Sequence, residues 1–372
     1  MLQINILRSL LAICLLLQLS LFSFGQSEDL RIEIDKIIRY DTEISFKKTP
    51  GFVIGIIDND STYYFSFGQK SKNEDILLTK QDIFEVGSVT KIFTSAVIES
   101  LVANNKLSYH DKLNDFLPFE YQNPRLSHIS IENLINHSSG LPKRPLFFGR
   151  KEKNIQNPYE FYSSKDLLTF YRDFIPEKDV FEYSHTNYAL LELVIENVTK
   201  KKFNDVLIEE ILTLYQMKNT FVDFPEQKNN LISPGYDRSQ KKVAPWSFNS
   251  FKASEGLKMN LNDMMIFLKE VLKKSSIEIL KYDSLDVNSN ALESDGFNAR
   301  LGLINGWHTI DMKSFKIITH TGKTSGHNAF VAFIKETNTA VAIFANSSIG
   351  TEDLGLQILR MLNFNWKRIS NI

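Results

Sequence analysis

The chain has 372 residues, is 43% hydrophobic and carries a formal net charge of −1. That size supports a substantial core in one large domain or a domain with an insertion. The balanced charge gives no electrostatic footprint for nucleic acid or an anionic membrane, and the single cysteine, Cys14, excludes structural disulfides and thiolate metal sites.

Residues 1–25 read as a signal peptide. Arg8 supplies the positive n-region, Leu10 to Phe22 form an apolar core, and Ser23 and Gly25 are small residues at positions −3 and −1 of a cleavage site before Gln26. This apolar core is about 13 residues long, too short to span a bilayer. Cys14 follows Ile13 rather than a small residue, so lipid attachment is not expected. Loss of Arg8 with the leader leaves a charge of −2 and no cysteine. No later apolar run is long enough to cross a membrane, so an exported, periplasmic or secreted product with no stable membrane span is expected.

Ser27 to Phe46 has the spacing of an amphipathic helix, with Leu30, Ile34, Ile37 and Ile38 on one side. Phe52 to Ile57 and Thr62 to Phe67 read as strands joined at Asp58-Asn59-Asp60 in a hairpin. A helix is predicted from Ser88, and the pattern stays mostly helical to about Leu280. Within it, Ile131 to His137 ends at Gly140 and Pro142, Ser164 is expected to cap Asp166 to Phe174, and Tyr188 to Lys200 and Asn262 to Leu272 are further helices. Alternation returns at Leu301 to Ile310 and Phe315 to His320. Asn328 to Ile334 and Ala340 to Ala345 flank Glu336-Thr337-Asn338 as a second hairpin, and Thr351 to Leu362 is a closing helix. An isolated hairpin is marginal. The economical arrangement is an α+β fold: one antiparallel sheet built from both chain ends, with an inserted helical lobe. A single domain is expected over 26–372, with the sheet lobe at about 26–90 and 290–372 and the helical lobe at about 91–289. A groove between lobes would receive the start of the Ser88 helix.

Ser88-Val89-Thr90-Lys91 places a hydroxyl and an amine at i and i+3, on one helix face. A serine hydroxyl needs a neighbouring base to attack, and a desolvated lysine can be that base. The same spacing occurs at Ser45–Lys48 and Ser239–Lys242, but only Ser88 is followed by a helical apolar stripe, Ile92, Phe93, Ala96, Val97 and Leu101. Gly87 permits a tight entry, and the Ser88 N–H belongs to the unpaired donors of the first turn, half of an oxyanion hole. Tyr183, in Tyr183-Ser184-His185-Thr186-Asn187, could act as a phenolate base if a lysine ammonium lowered its pKa; read alone, the segment packs Tyr183 and caps a helix with Ser184 or Thr186. His320-Thr321-Gly322-Lys323 ends a strand, where Gly322 admits close approach of a substrate and the Lys323 N–H could be the second oxyanion donor. The seven histidines form no HExxH-like pair, so no metal is expected. His137, beside Ser138-Ser139-Gly140, is expected to shape the groove.

In order, FEVGSVTKIFTSAVIESLVANNKLSYHDKLNDFLP, ISIENLINHSSGLP, FEYSHTNYALLELVIENVTKK, LTLYQMKNTF and HTGKTSGHNAFVAFIKETNTAVAIFANSS resemble the serine β-lactamase and penicillin-binding family. The likeness is to its class C β-lactamase and D,D-peptidase-like branch, with esterase relatives, over nearly all of the mature chain. The resemblance implies a β-lactamase/transpeptidase-like fold, with Ser88 as the acylated nucleophile, Lys91 as its base partner and Tyr183 as the proton relay. It places His185, His320, Thr321 and Gly322 at substrate-binding positions and Ser88 and Lys323 at the oxyanion hole, with no cofactor. Two positions depart from the family pattern. His185 stands where Tyr-x-Asn has asparagine, whose amide contacts an acyl-amide side chain. His320 replaces the lysine of Lys-Thr-Gly, exchanging a fixed charge for a group that titrates near pH 6.5. The expected activity is acyl transfer through a covalent acyl-enzyme on a small-molecule or peptide substrate: a peptide amide, ester or β-lactam. The alternative is a non-catalytic penicillin-binding or sensor protein on the same scaffold, against which the retained Ser88, Lys91 and Tyr183 argue. Oligomeric state leaves no mark in the sequence.

Overall fold

The structure is a computed structural model that describes residues 27–42, 44–72, 74–145, 148, 157–176, 181–274, 281–282, 300–311 and 315–365. The leader, Cys14 and the expected cleavage point lie outside the described residues. The described residues fall into two compact units, divided between Ile44 and Ser45. In the first, residues 27–40 form helix α1. It stops short of the expected Phe46: Lys48 and Thr49 donate to the Ser45 carbonyl in a turn, and Pro50 follows.

The second unit is built on an eight-stranded sheet in which every pairing is antiparallel. Its spatial order is β2 (Ser61–Gly68), β1 (Gly51–Asp58), β13 (Thr339–Ala345), β12 (Asn328–Ile334), β11 (Lys316–Lys323), β10 (Trp307–Asp311), β9 (Arg300–Ile304) and β8 (Lys281–Tyr282). The two expected hairpins are β1–β2 and β12–β13. They meet through β1 and β13, in register from Phe52 opposite Ala345 to Asp58 opposite Thr339. The stretch expected as one alternating strand, Leu301 to Ile310, is instead the β9–β10 hairpin. Asn305 (φ 47°) and Gly306 (φ 81°) form its two-residue turn in the left-handed region that such turns require.

Strand alternation assigns the two faces of the sheet. Gly55, Ala342 and Val331 form one cross-strand row. A Cβ on Gly55 would lie 2.4 Å from Met265 Sδ, so α8 (Leu261–Lys273) packs tightly on this face. Ile54, Ile343 and Phe330 form the opposite row. There a Cβ on Gly355 would lie 2.1 Å from the Phe330 ring, placing α9 (Glu352–Arg360) against β12.

The helical lobe comprises α2 (Thr90–Ala103), α3 (Ile131–Ile135), α4 (Ser164–Asp173), α5 (His185–Thr199), α6 (Phe203–Leu207) and the single turn α7 (Lys252–Glu255). Ser163, one residue before the expected cap, closes α4 by accepting from the Asp166 N–H. The amphipathic stripe of α2 understates its burial: Thr90, Lys91, Thr94 and Ser95 are buried along with Ile92, Phe93, Val97 and Leu101. These polar groups dock α2 onto its neighbours. Thr94 Oγ1 donates to Ala253 O on α7 (2.7 Å), and Ser95 Oγ shares a hydrogen bond with Tyr188 OH on α5 (3.0 Å). Two smaller sheets complete the unit, β3 (Ile83–Glu85), β7 (Lys258–Asn260) and β4 (Thr220–Phe221) in that order, and β5 (Gly235–Tyr236) with β6 (Lys242–Val243). No described helix is long and apolar enough to cross a membrane.

Candidate active site

Ser88 sits in a 3₁₀ turn, Gly87–Val89, between β3 and α2. Gly87 has φ +50°, and a Cβ there would lie 2.7 Å from Lys323 N and 2.9 Å from Lys323 O. On the facing strand, a Cβ on Gly322 would lie 1.9 Å from Val86 O and 2.9 Å from Ser88 N. Two glycines thus let the end of β11 lie backbone to backbone against the turn that carries Ser88. The β10–β11 ladder ends at the His308–Thr319 pair, whereas β11 continues to Lys323 beside β12. Residues 320–323 therefore overhang β10 beside the serine turn, and their backbone is where an extended substrate could add. The Ser88 and Lys323 N–H groups lie on the two backbones that the glycines bring together.

The expected pair is formed. Lys91 Nζ donates to Ser88 Oγ at 3.2 Å. The Ser88 hydroxyl does not end on the amine: it donates to Glu255 Oε1 at 2.5 Å. Lys91 Nζ also donates to Glu255 Oε1 (2.9 Å) and to Ser254 O (3.0 Å), and His185 Nδ1 makes a short contact with the same carboxylate oxygen. One buried oxygen collects a serine, a lysine and a histidine. Burial depresses the Lys91 ammonium below the usual lysine range, and Glu255 opposes that shift. Burial alone would raise the Glu255 carboxyl, but Lys91 and His185 outweigh it and hold the group well below the usual carboxylate range. The carboxylate form of Glu255 rests on Lys91 and His185, and its charge in turn favours the Lys91 ammonium.

Burial, with the Glu255 carboxylate acting in the same direction, overturns the expected tuning of Tyr183. The ring lies 5.3 Å from Lys91 Nζ. Even so, burial, followed by the Glu255 charge, pushes the phenol up rather than down. The positive charge expected to favour a phenolate is already paired. The resting phenol is protonated and can donate.

His185 opens α5, which Ser184 caps by accepting from the Asn187 N–H. Burial lowers the His185 imidazole to about 4, with Lys91 acting in the same direction. His137, at φ 58°, packs 4.4 Å from the Tyr183 ring and accepts from the Ser184 N–H through Nδ1. It shapes the site by holding the start of α5. His320 is fully buried, and its ring stacks at 4.9 Å on His308 of β10. Burial holds His320 well below the ordinary histidine range and brings His308 to about 4. The titration near pH 6.5 expected of residue 320 is therefore not a property of this site.

A cavity of about 830 Å³ opens onto these groups. Ser88, Tyr183, His185, His308, Thr321, Gly322 and Lys323 line it, whereas His320 is not among its lining residues. Among the described residues, Lys143, Arg144 and Lys323 give the lining three cationic side chains and Glu352 one acidic side chain. Among the described residues no group of three or more histidine, cysteine or acidic side chains could hold a metal. The constellation can deprotonate one hydroxyl, place it next to an acyl carbon and return a proton to a leaving group.

The family model for β-lactamase matches residues 38–363. The chain belongs to the β-lactamase family. It is a β-lactamase-family serine hydrolase, similar to a β-lactamase of Pseudomonas fluorescens, with 24% identity over 333 residues, 80% of this chain and 88% of the relative. The β-lactamase-family fold is shared with two solved structures. One is a β-lactamase/D-alanine carboxypeptidase from Pseudomonas syringae (TM-score 0.70, 18% identity, 90% of this chain and 98% of that one). The other is a class C β-lactamase from Rhodobacter sphaeroides (TM-score 0.69, 19% identity, the same coverage). Within this β-lactamase-family chain, sequence reasoning missed Glu255 at the nucleophile and His308, Lys143 and Arg144 in the cavity lining. Glu255 lies 167 positions from Ser88 in a short polar run, and no local spacing ties it to a nucleophile.

Proposed function

We propose that the protein is an exported serine hydrolase that works through a covalent acyl-enzyme on Ser88. Its preferred substrates are short esters, with peptide amides and β-lactams acylating more slowly. The observation that carries this reading is the Ser88 hydroxyl, hydrogen-bonded to both Lys91 and Glu255 at the wall of an open cavity. Ser88 attacks the acyl carbon, the oxyanion is received by the Ser88 and Lys323 N–H groups, and Tyr183 passes a proton to the leaving group. Water then releases the acid. The substrate order rests on His185. Its Nδ1 is engaged by Glu255, so that nitrogen does not offer the acyl-amide contact that an asparagine would. The cationic cavity lining of Lys143, Arg144 and Lys323 supports a substrate with an anionic end. Export rests on Arg8, the Leu10 to Phe22 core and the small Ser23 and Gly25.

The test is parallel turnover of a p-nitrophenyl ester, a D-Ala-D-Ala peptide and a chromogenic cephalosporin by wild type and Ser88→Ala. Turnover of at least the ester, abolished in the variant, is expected. Retained turnover by Ser88→Ala would remove Ser88 from the mechanism. A stable adduct without turnover would favour a binding protein.

A further inference from the structure

The Ser88 hydroxyl has a proton acceptor that neither the Ser-x-x-Lys spacing nor the family resemblance assigns. Glu255 Oε1 lies 2.5 Å from Ser88 Oγ, closer than Lys91 Nζ at 3.2 Å. In this arrangement Lys91 donates to the serine oxygen, and the serine proton points at the carboxylate. We propose that Glu255 is a catalytic residue, the immediate acceptor of the Ser88 proton, and that Lys91 serves the reaction as the paired ammonium. This rests on the acyl-enzyme reading above and deepens it.

The fold holds Glu255 in place at several points. Residues flanking it are gripped by Thr94 Oγ1 and Lys91 Nζ, which donate to Ala253 O and Ser254 O. Glu192 Oε2 accepts from the Ala253 N–H, and Thr90 Oγ1 accepts from the Leu257 N–H. A buried single-turn helix is thereby pinned from α2 and α5, so its carboxylate stands fixed at the nucleophile, as a proton acceptor must. The titratable groups acting around it are Lys91 on α2, Tyr183 and His185 at the head of α5, His320 on β11, and Tyr159 and Arg144.

The proton balance closes without a co-reactant. As the Oγ–acyl carbon bond forms, the carbonyl π pair moves to oxygen and the hydroxyl proton moves to Glu255 Oε1. On collapse, the bond to the leaving group breaks. Lys91 releases a proton by way of Tyr183 to that group, and Glu255 passes its proton to the Lys91 amine, 2.9 Å away. Carboxylate and ammonium are restored, and one proton has travelled from Ser88 to the leaving group.

The two possible bases predict opposite effects of one substitution. Glu255 opposes the burial that disfavours the Lys91 ammonium, so Glu255→Gln shifts Lys91 toward the free amine. If Glu255 is the acceptor, the variant loses acylation. If the free lysine is the base, the variant acylates at least as fast at pH 7. The probe is a fluorophosphonate, because fluoride leaves without a proton and the labelling rate reads deprotonation of Ser88 alone. Rates are followed from pH 5 to 9 for wild type, Glu255→Gln and Glu255→Asp, with thermal unfolding as the check on folding. We expect Glu255→Gln to label about 100-fold more slowly or worse, without rescue at higher pH, and Glu255→Asp to be slowed at least ~10-fold by withdrawal of the carboxylate. Labelling of Glu255→Gln at or above the wild-type rate would overturn the proposal and leave the Ser88 acyl-enzyme standing. Should Glu255→Gln not fold, a wild-type rate in Glu255→Asp would overturn it. Wild type that takes no label at Ser88 would end both readings.

Discussion

Gly322→Ala tests how the site is assembled, because its effect is steric alone. Gly322 has ordinary φ, unlike Gly87, so alanine carries no backbone penalty there. Its methyl carbon would instead sit 1.9 Å from Val86 O and 2.9 Å from both Ser88 N and Val89 N. Non-bonded heavy atoms sit best near ~3.5 Å, so β11 and the serine turn must part by roughly 1–1.5 Å. Both are backbone, and no flexible side chain can absorb the shift. Overpacking of this kind costs about 1–3 kcal/mol. The same separation moves the Lys323 N–H from the nucleophile, and a displacement of about 1 Å is worth about 100-fold in rate. The assay pairs urea unfolding with ester turnover and fluorophosphonate labelling per folded molecule. The expectation is a folded protein with a lower urea midpoint and turnover reduced about 100-fold. Wild-type stability together with wild-type turnover would refute the close packing of β11 on the serine turn.

Two further predictions concern pH. His137, His185, His308 and His320 are all held below the ordinary histidine value by burial. Protons then bind preferentially to the unfolded chain, so their contribution is complete above about pH 6.5 and falls away as pH drops; for His185 and His308, each at about 4, it is on the order of 3 kcal/mol at full effect. Urea midpoints should drop between pH 7 and pH 5, and a flat profile over that range would contradict neutral buried imidazoles. Glu192 runs the other way: burial raises its carboxyl to about 7. The folded state keeps a proton that the unfolded chain loses near pH 4.5, so stability is present below that point and lost as pH rises through about 7. Glu192→Gln should therefore stabilise the protein at pH 8 by about 2–3 kcal/mol and have little effect at pH 4.5. An equal effect at both values would show that Glu192 does not titrate.

The outline of the fold was legible because its signals are local. Asp58-Asn59-Asp60 and Glu336-Thr337-Asn338 each mark a hairpin, and the marginal stability of lone hairpins brings the chain ends into one sheet. The Asn305-Gly306 turn carried an equally local signal, but alternation continues through it and conceals the reversal between β9 and β10. The nucleophile and its lysine were legible because i, i+3 spacing on a helix converts directly into contact. The electrostatics of the site were not. Glu255 arrives from a distant segment and pairs with Lys91, and burial, followed by the Glu255 charge, reverses the direction expected for Tyr183. At His320 the sequence identifies an imidazole at a substrate-binding position but not the burial that keeps it neutral. The Glu85 cluster escaped for the same reason. Glu85 joins His327, Thr324 and the Trp246 N–H beneath the cavity through contacts between segments far apart in the chain.

The most direct measurement is peptide mapping by mass spectrometry of the protein after brief reaction with a fluorophosphonate and, separately, with a penicillin. The mass of one adduct should fall on the peptide containing Ser88, with fragmentation placing it on that residue, and Ser88→Ala should take none. Modification of another residue, or equal modification of the Ser88→Ala protein, would contradict the account.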